Sequence, residues 1–236
     1  MVFLHGWGGS RESLRELARL FEHTHQVHLL DLPGFGASPI PPEGWGTQEY
    51  AALVESYLSA RLSGRAILVG HSFGGRIGVR IAGRRVVPIR ALALIGVPGL
   101  PASPWTRGAL RRRGVRLLRA CLRLVAPVTG SGPLAWHSRR FGSRDFQAAG
   151  DLRGVLVRTV AEDLTPLVTA IECPVLLLYG SADTETPPWL ARRYAALLGA
   201  RATCHVLPHK DHFPFTGTGA HLCGALLRRW LVACGG

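Results

Sequence analysis

Short apolar, β-branched runs alternate with helix-spaced apolar stripes almost from one end of this 236-residue chain to the other. That rhythm constrains the fold more than any other feature. Residues 2–4, 27–30, 66–69, 91–95, 175–179 and 203–207 read as strands. Between them Leu14, Leu17, Ala18 and Phe21 keep an i, i+3, i+4, i+7 stripe, as do Leu53, Val54, Tyr57 and Leu58, so a helix is expected at each. A third helix is expected over about 220–233, carrying Leu222, Leu226, Leu227 and Leu231 and packing on the sheet near the last strand. Strands that alternate with helices in this way predict an α/β fold. The expectation is a three-layer α/β/α sandwich around a mainly parallel six-stranded sheet.

The rhythm breaks between 101 and 171, where several helical stretches follow one another without a convincing strand. We read residues 1–100 and 172–236 as the core domain and 101–171 as a helical cap, or lid, inserted into it. Sheet enzymes bind ligands outside the carboxyl ends of their strands, so an insertion leaving the end of the 91–95 strand is placed over that site. Within it Arg112, Arg116, Arg119 and Arg123 lie at helical spacing opposite Leu117, Leu118, Cys121 and Leu124. Three readings of this basic amphipathic helix stay open: a solvated arginine face over a buried apolar one, attraction of an anionic substrate or acidic carrier protein, and docking on anionic lipid.

Composition narrows the function classes. With 47% hydrophobic and 18% charged residues the chain is globular, and disorder is excluded for most of its length. A formal charge of +13 raises nucleic acid as a partner, yet 27 of the 28 basic residues are arginine and Lys210 is the only lysine. That is the pattern of a whole-chain codon bias, and no nucleic-acid partner is expected. The longest apolar runs, 66–70 and 175–179, fall far short of the ~18 residues of a transmembrane helix. Residues 1–4 run straight into His5-Gly6 without a signal-peptide pattern, so the chain as given is not expected to be exported by that route. Cys121, Cys173, Cys204, Cys223 and Cys234 are odd in number and form no CxxC. Free thiols in a reducing, cytoplasmic compartment are expected, with no disulfide framework and no zinc.

The chemistry centres on Gly70-His71-Ser72-Phe73-Gly74, which follows the 66–69 strand and leads into a helical run with Ile77, Val79 and Ile81. This is a GxSxG nucleophile elbow in its required context: a sharp strand-to-helix turn lifts the serine hydroxyl above the sheet, and the flanking glycines avoid side-chain clashes. A serine hydroxyl is a poor nucleophile until a base takes its proton, and the base must be oriented by a carboxylate. Asp183, just beyond the 175–179 strand, is the expected acid, with Glu185 as competitor. Of His205, His209 and His212, the last falls on the loop after the final strand and leads into the apolar turn Phe213-Pro214; His212 is the expected general base. His205 lies within a strand and His209 reads as a surface residue. Acyl transfer also needs donors for an oxyanion. The backbone N–H groups of Phe73 and of Trp7, in His5-Gly6-Trp7-Gly8-Gly9, are the expected pair, with Gly6 allowing close approach and His5 bracing the loop. No metal or organic cofactor is expected.

These elements appear in the order His5–Gly9, Asp31-Leu32-Pro33-Gly34-Phe35-Gly36-Ala37-Ser38, Gly70–Gly75, Asp183, His212, and in that order the chain resembles the α/β-hydrolase superfamily, in its capped serine-esterase branch. The resemblance covers nearly the whole chain. It implies that 31–38 is a structural loop near the site with no catalytic role. Ser72 stands where haloalkane dehalogenases and epoxide hydrolases place an aspartate, which argues against those chemistries. Ester hydrolysis of a small-molecule substrate leads. The oxyanion loop resembles that of pimeloyl-acyl-carrier-protein methyl ester esterases, while carbon–carbon bond hydrolases and cofactor-free perhydrolases share the same triad; a non-catalytic ligand-binding homologue is the alternative from another class. The resemblance implies about two further strands and a hairpin ahead of the strand leading to His5–Gly9, whereas the chain as given begins inside that strand. The sheet should run 4-3-5-6-7-8 in family labels, with 27–30 exposed as an edge strand. Either the start codon was placed too far downstream, which is the favoured reading, or the protein is a natural minimal form.

Overall fold

A computed structural model describes residues 1–62, 64–101, 118, 122 and 144–235. Six strands, β1 (Val2–Leu4), β2 (His28–Leu30), β3 (Ala66–His71), β4 (Ile89–Ile95), β5 (Val175–Gly180) and β6 (Ala202–Leu207), form one sheet in the order β2-β1-β3-β4-β5-β6. Every neighbouring pair is parallel. This is the expected six-stranded order, with β2 at one edge.

Strand side chains alternate between faces, and both faces are covered. Leu4, Leu68, Leu92, Leu94 and Leu177 point to a cluster that includes Tyr50, Ile77, Leu190 and Tyr194. Phe3, Val69, Ala93, Ile95 and Leu178 point to the opposite cluster, with Leu14, Leu17, Phe21, Leu227 and Trp230. Burying each leucine, isoleucine, valine or phenylalanine among them contributes about 1.5–3 kcal/mol, so the sheet is stabilised from both sides. The result is a three-layer sandwich.

The helical expectations were right in kind and partly wrong in detail. α1 (Arg15–Arg19) follows a 3-10 turn at Arg11–Leu14, and all four stripe residues are buried although Phe21 lies past the helix end. α2 (Thr47–Arg61) buries Tyr50, Ala51, Val54, Glu55 and Leu58, whereas Leu53 is 45% exposed. The buried face is therefore rotated from the predicted one and takes in Glu55, whose carboxylate lies 3.6 Å from Arg84. α3 (Ser72–Arg84) carries that arginine. The C-terminal helix, α8 (Thr218–Ala233), packs on α1 and β5. It buries Ala220, Cys223, Leu227, Trp230 and Leu231 and leaves Leu222 exposed.

Between β4 and β5 the described residues form α4 (Arg144–Ala148), α5 (Arg153–Ala161) and α6 (Thr165–Thr169), and no strand among them. Leu152, Val155, Leu164, Val168 and Ile171 pack into the same cluster as α2 and α3. Two arginines one turn apart on α3 hold this arm: Arg76 Nη1 donates to the Thr159 carbonyl at 2.7 Å, and Arg80 pairs with Glu162 while its Nε donates to Thr47 Oγ1 at 3.0 Å. Of the predicted arginine-rich helix, Arg112, Arg116, Leu117, Arg119, Cys121, Arg123 and Leu124 lie outside the described residues; Leu118 is helical and 39% exposed. Cys173, Cys204, Cys223 and Cys234 are free thiols. Among the described residues no helix is long and apolar enough to cross a membrane. α7 (Pro188–Leu198) joins β5 to β6 and completes the layer on the α3 side.

Candidate active site

β3 passes into α3 with no intervening loop: His71 is the last strand residue and Ser72 the first of the helix. Ser72 takes φ +47°, in the left-handed region that costs a non-glycine residue about 1–2 kcal/mol. Its surroundings impose that conformation. A Cβ on Gly74 would lie 2.2 Å from the Leu4 carbonyl oxygen, and one on Gly70 would lie 2.6 Å from Gly75 Cα. The bare backbone lets Gly74 N–H donate to the His5 carbonyl at 3.0 Å, tying the elbow to the end of β1. Ser72 itself is half-buried, above the centre of the sheet at the positive end of the α3 dipole.

Asp183 and His212 come from the loops after β5 and β6, which pack backbone against backbone. Gly180 has no space for a side chain, since a Cβ would meet the Lys210 and Asp211 carbonyls at 2.1 and 2.3 Å, and Ala182 N–H donates to Lys210 O at 2.9 Å. This sets His212 Nδ1 at 2.8 Å from Asp183 Oδ2. The same carboxylate accepts the N–H groups of Glu185 and Thr186 at 2.8 and 2.7 Å and the Thr186 hydroxyl. Burial would raise the Asp183 pKa, but the His212 and Thr186 bonds outweigh it and hold the carboxyl below its ordinary value. An ionised Asp183 assigns the proton to His212 Nδ1 and leaves Nε2 as an acceptor. His212 is buried, and its ring lies against Gly96, just past β4, where a Cβ would stand 3.2 Å from it.

Further contacts join the two halves of the site. The ring of His71, beside Ser72, bonds through Nε2 to the His212 carbonyl at 2.9 Å. A Cβ on Gly6 would lie 2.6 Å from His71 Nδ1 and 3.4 Å from Ser72 Cβ, so the Gly6 backbone runs directly against the elbow. Gly9 N–H donates to Gly6 O at 3.1 Å to close the turn, and Gly8 takes φ +70°. His5 is buried and braces this turn: its Nδ1 bonds to the Gly6 carbonyl at 2.8 Å and its Nε2 accepts Leu32 N–H at 3.1 Å. Burial lowers its pKa and keeps it uncharged. Trp7 and Phe73 meet edge to face with centroids 5.4 Å apart, and Phe35 touches Trp7, Phe73 and His5. As the second residue of α3, Phe73 has an N–H without an intrahelical acceptor.

Asp183 and His212 are thus brought together as expected. Glu185 is exposed on the other side of the ring, its carboxylate 3.6 Å from Nε2. His205 stands in β6, and His209 is exposed on the loop with φ +58°. Sequence reasoning missed Thr186, His71, Phe35 and Gly96. Only Thr186 left a local signal, a hydroxyl three residues after an aspartate, as in side-chain-capped turns. Among the described residues no cluster of His, Cys, Asp and Glu could hold a metal ion.

A family model described as the alpha/beta hydrolase family matches residues 1–219. The chain belongs to that family. Among curated relatives of this α/β-hydrolase, the pimeloyl-[acyl-carrier protein] methyl ester esterase of Cronobacter sakazakii is 30% identical, over 96% of this chain and 91% of that protein. The protein of the same name from Chromobacterium violaceum is 28% identical, over 91% of this chain and 87% of its own length. A thermophilic esterase from Thermogutta terrifontis shares the fold with a TM-score of 0.71 at 21% identity, covering 99% of this chain and 89% of that one.

Proposed function

We propose that this α/β-hydrolase cleaves carboxylic esters through an acyl-enzyme, with Ser72 as nucleophile, His212 as general base and Asp183 as the carboxylate that orients it. The observation that carries the reading is Ser72, held at φ +47° on the β3–α3 junction beside a loop where His212 is bonded to Asp183 at 2.8 Å. Nε2 of His212 takes the Ser72 proton as Oγ attacks the ester carbonyl. The Nδ1–H bond to Asp183 stabilises the imidazolium that forms. The N–H groups of Trp7 and Phe73 receive the negative charge on the carbonyl oxygen, each donor lowering the barrier by about 3 kcal/mol. The imidazolium then protonates the leaving alcohol, and the neutral ring activates water to release the acid and regenerate Ser72.

Residues 101–171 act as a cap over this site and select the acyl group, with 1–100 and 172–236 as the core. The esterase names of the curated relatives support ester cleavage, and their acyl-carrier-protein substrates favour a carrier-linked ester here. Charge supports the same partner: residues 101–144 hold ten arginines and no acidic residue, leaving eighteen basic against fifteen acidic residues elsewhere. The free thiols fit a cytoplasmic setting. Hydrolysis of p-nitrophenyl esters from two to twelve acyl carbons tests the chemistry. Turnover should fall by about 10⁴-fold or more in Ser72→Ala, and an optimum in chain length measures the pocket under the cap. A folded wild-type chain that turns over none of these esters, nor a carrier-linked methyl ester, would overturn the reading.

A further inference from the structure

We infer that His71 is a positioning residue that fastens the base-bearing loop to the nucleophile elbow through its bond to the His212 backbone. The inference rests on the triad proposed above and adds a group that its chemistry does not require. His71 is buried, and its ring packs against His212 and Phe215, each with centroids at 4.8 Å, and against Phe213 at 5.2 Å. Burial pushes its pKa down to about 3, so the ring is uncharged at working pH and carries one proton. A carbonyl only accepts, so the proton must sit on Nε2, 2.9 Å from His212 O.

The position of this bond matters more than its strength. His71 is covalently next to Ser72, its far nitrogen holds the residue that supplies the base, and its near nitrogen faces Gly6 of the oxyanion loop. One ring therefore sets the spacing of three catalytic parts that are distant in sequence; the bond to His212 spans 141 positions. Packing alone does not account for a histidine here, because phenylalanine would fill a space between Phe213 and Phe215 without leaving a buried nitrogen to satisfy. A displacement of about 1 Å in a reacting group can cost on the order of 100-fold in rate.

The test compares His71→Phe, which keeps the ring and removes the donor, with His71→Gln, whose amide nitrogen can reach the same carbonyl. Phe should lower kcat for a p-nitrophenyl ester by about 10- to 100-fold with KM within about twofold, and Gln should recover most of the loss. The downfield proton NMR signal of His212 Nδ1–H, bonded to Asp183, should shift or broaden in the Phe variant and return in the Gln variant. Wild-type kcat and an unmoved signal in His71→Phe would overturn the inference, as would Gln performing no better than Phe. If the Phe variant does not fold, His71→Met takes its place as the donor-free partner of Gln. Ser72→Ala is assayed in parallel: wild-type turnover independent of Ser72 would mean that the esterase reading has failed, and the NMR comparison then decides the His71 bond by itself.

Discussion

His212 lies between two carboxylates, buried Asp183 on Nδ1 and exposed Glu185 near Nε2. Burial disfavours the charged ring, but the Asp183 bond and the charges of Asp183, Glu185 and Asp211 outweigh it, so its pKa is raised. In the proposed mechanism His212 must be unprotonated to act as the base, so kcat/KM should fall as the pH drops through a value above the ordinary ~6.5. Glu185→Gln removes one of the charges that favour the imidazolium and should move this acid limb to lower pH; a pH–rate profile of both proteins checks the direction. Stability runs the opposite way. A raised folded-state pKa contributes stability that is complete below about 6.5 and is lost as pH rises through the folded value. Asp183, with a lowered pKa, contributes stability that is present above its ordinary value and is lost as pH falls through the folded one. If the proposed triad operates, Asp183→Asn should lower kcat by about 10⁴-fold, since His212 is then held in the wrong tautomer, while thermal unfolding at pH 7 shows whether the fold survives the change.

At the scale of elements, the contact between β1 and α3 sets the elbow. The Gly74 position faces the Leu4 and His5 backbone, which cannot rotate out of the way as a side chain would. Gly74→Ala should therefore separate β1 from α3, with a stability loss of about 1–3 kcal/mol and a fall in Tm of roughly 5 °C. Ester turnover should fall with it, because Gly6 and Trp7 lie on the segment displaced. Gly78→Ala is the control on the same helix: its Cβ meets only the end of the Leu92 side chain at 3.0 Å, and alanine is the better helix former by roughly 0.5–1 kcal/mol. Differential scanning of the two variants should separate them clearly. The α2 face shows what periodicity overlooks at this scale: an apolar stripe marks a helix, but Glu55 is buried on the same face, 3.6 Å from Arg84 of α3.

Over the whole molecule, positive charge is concentrated in one stretch of sequence. Ten arginines without a single acidic residue between 101 and 144 account for most of the +13, and the rest of the chain is close to balanced. Charge of one sign attracts an oppositely charged partner and is screened by salt over about 10 Å at 0.1 M. Reversing Arg112, Arg116 and Arg119 to glutamate should raise KM for an ester on an acidic carrier protein more than KM for a neutral ester, and the difference should shrink as salt is added. Equal changes in both would remove the case for an acidic partner.

Much of this protein is legible in its sequence because the signals are local. Buried strands declare themselves as short apolar runs, the elbow as glycines around a serine between a strand and a helix, and Asp183 and His212, the acid and base of the proposed triad, by their type and place after the last two strands. All six strands lie where the apolar runs put them, to within two residues at every end. What only the tertiary structure decided is which groups meet across the fold. Asp183 meets the ring of His212 across 29 positions, Phe35 packs against both Trp7 and Phe73, and His71 finds the carbonyl of His212. Burial and hydrogen-bond partnership arise from contacts between segments far apart in the chain, and no window of sequence contains both partners.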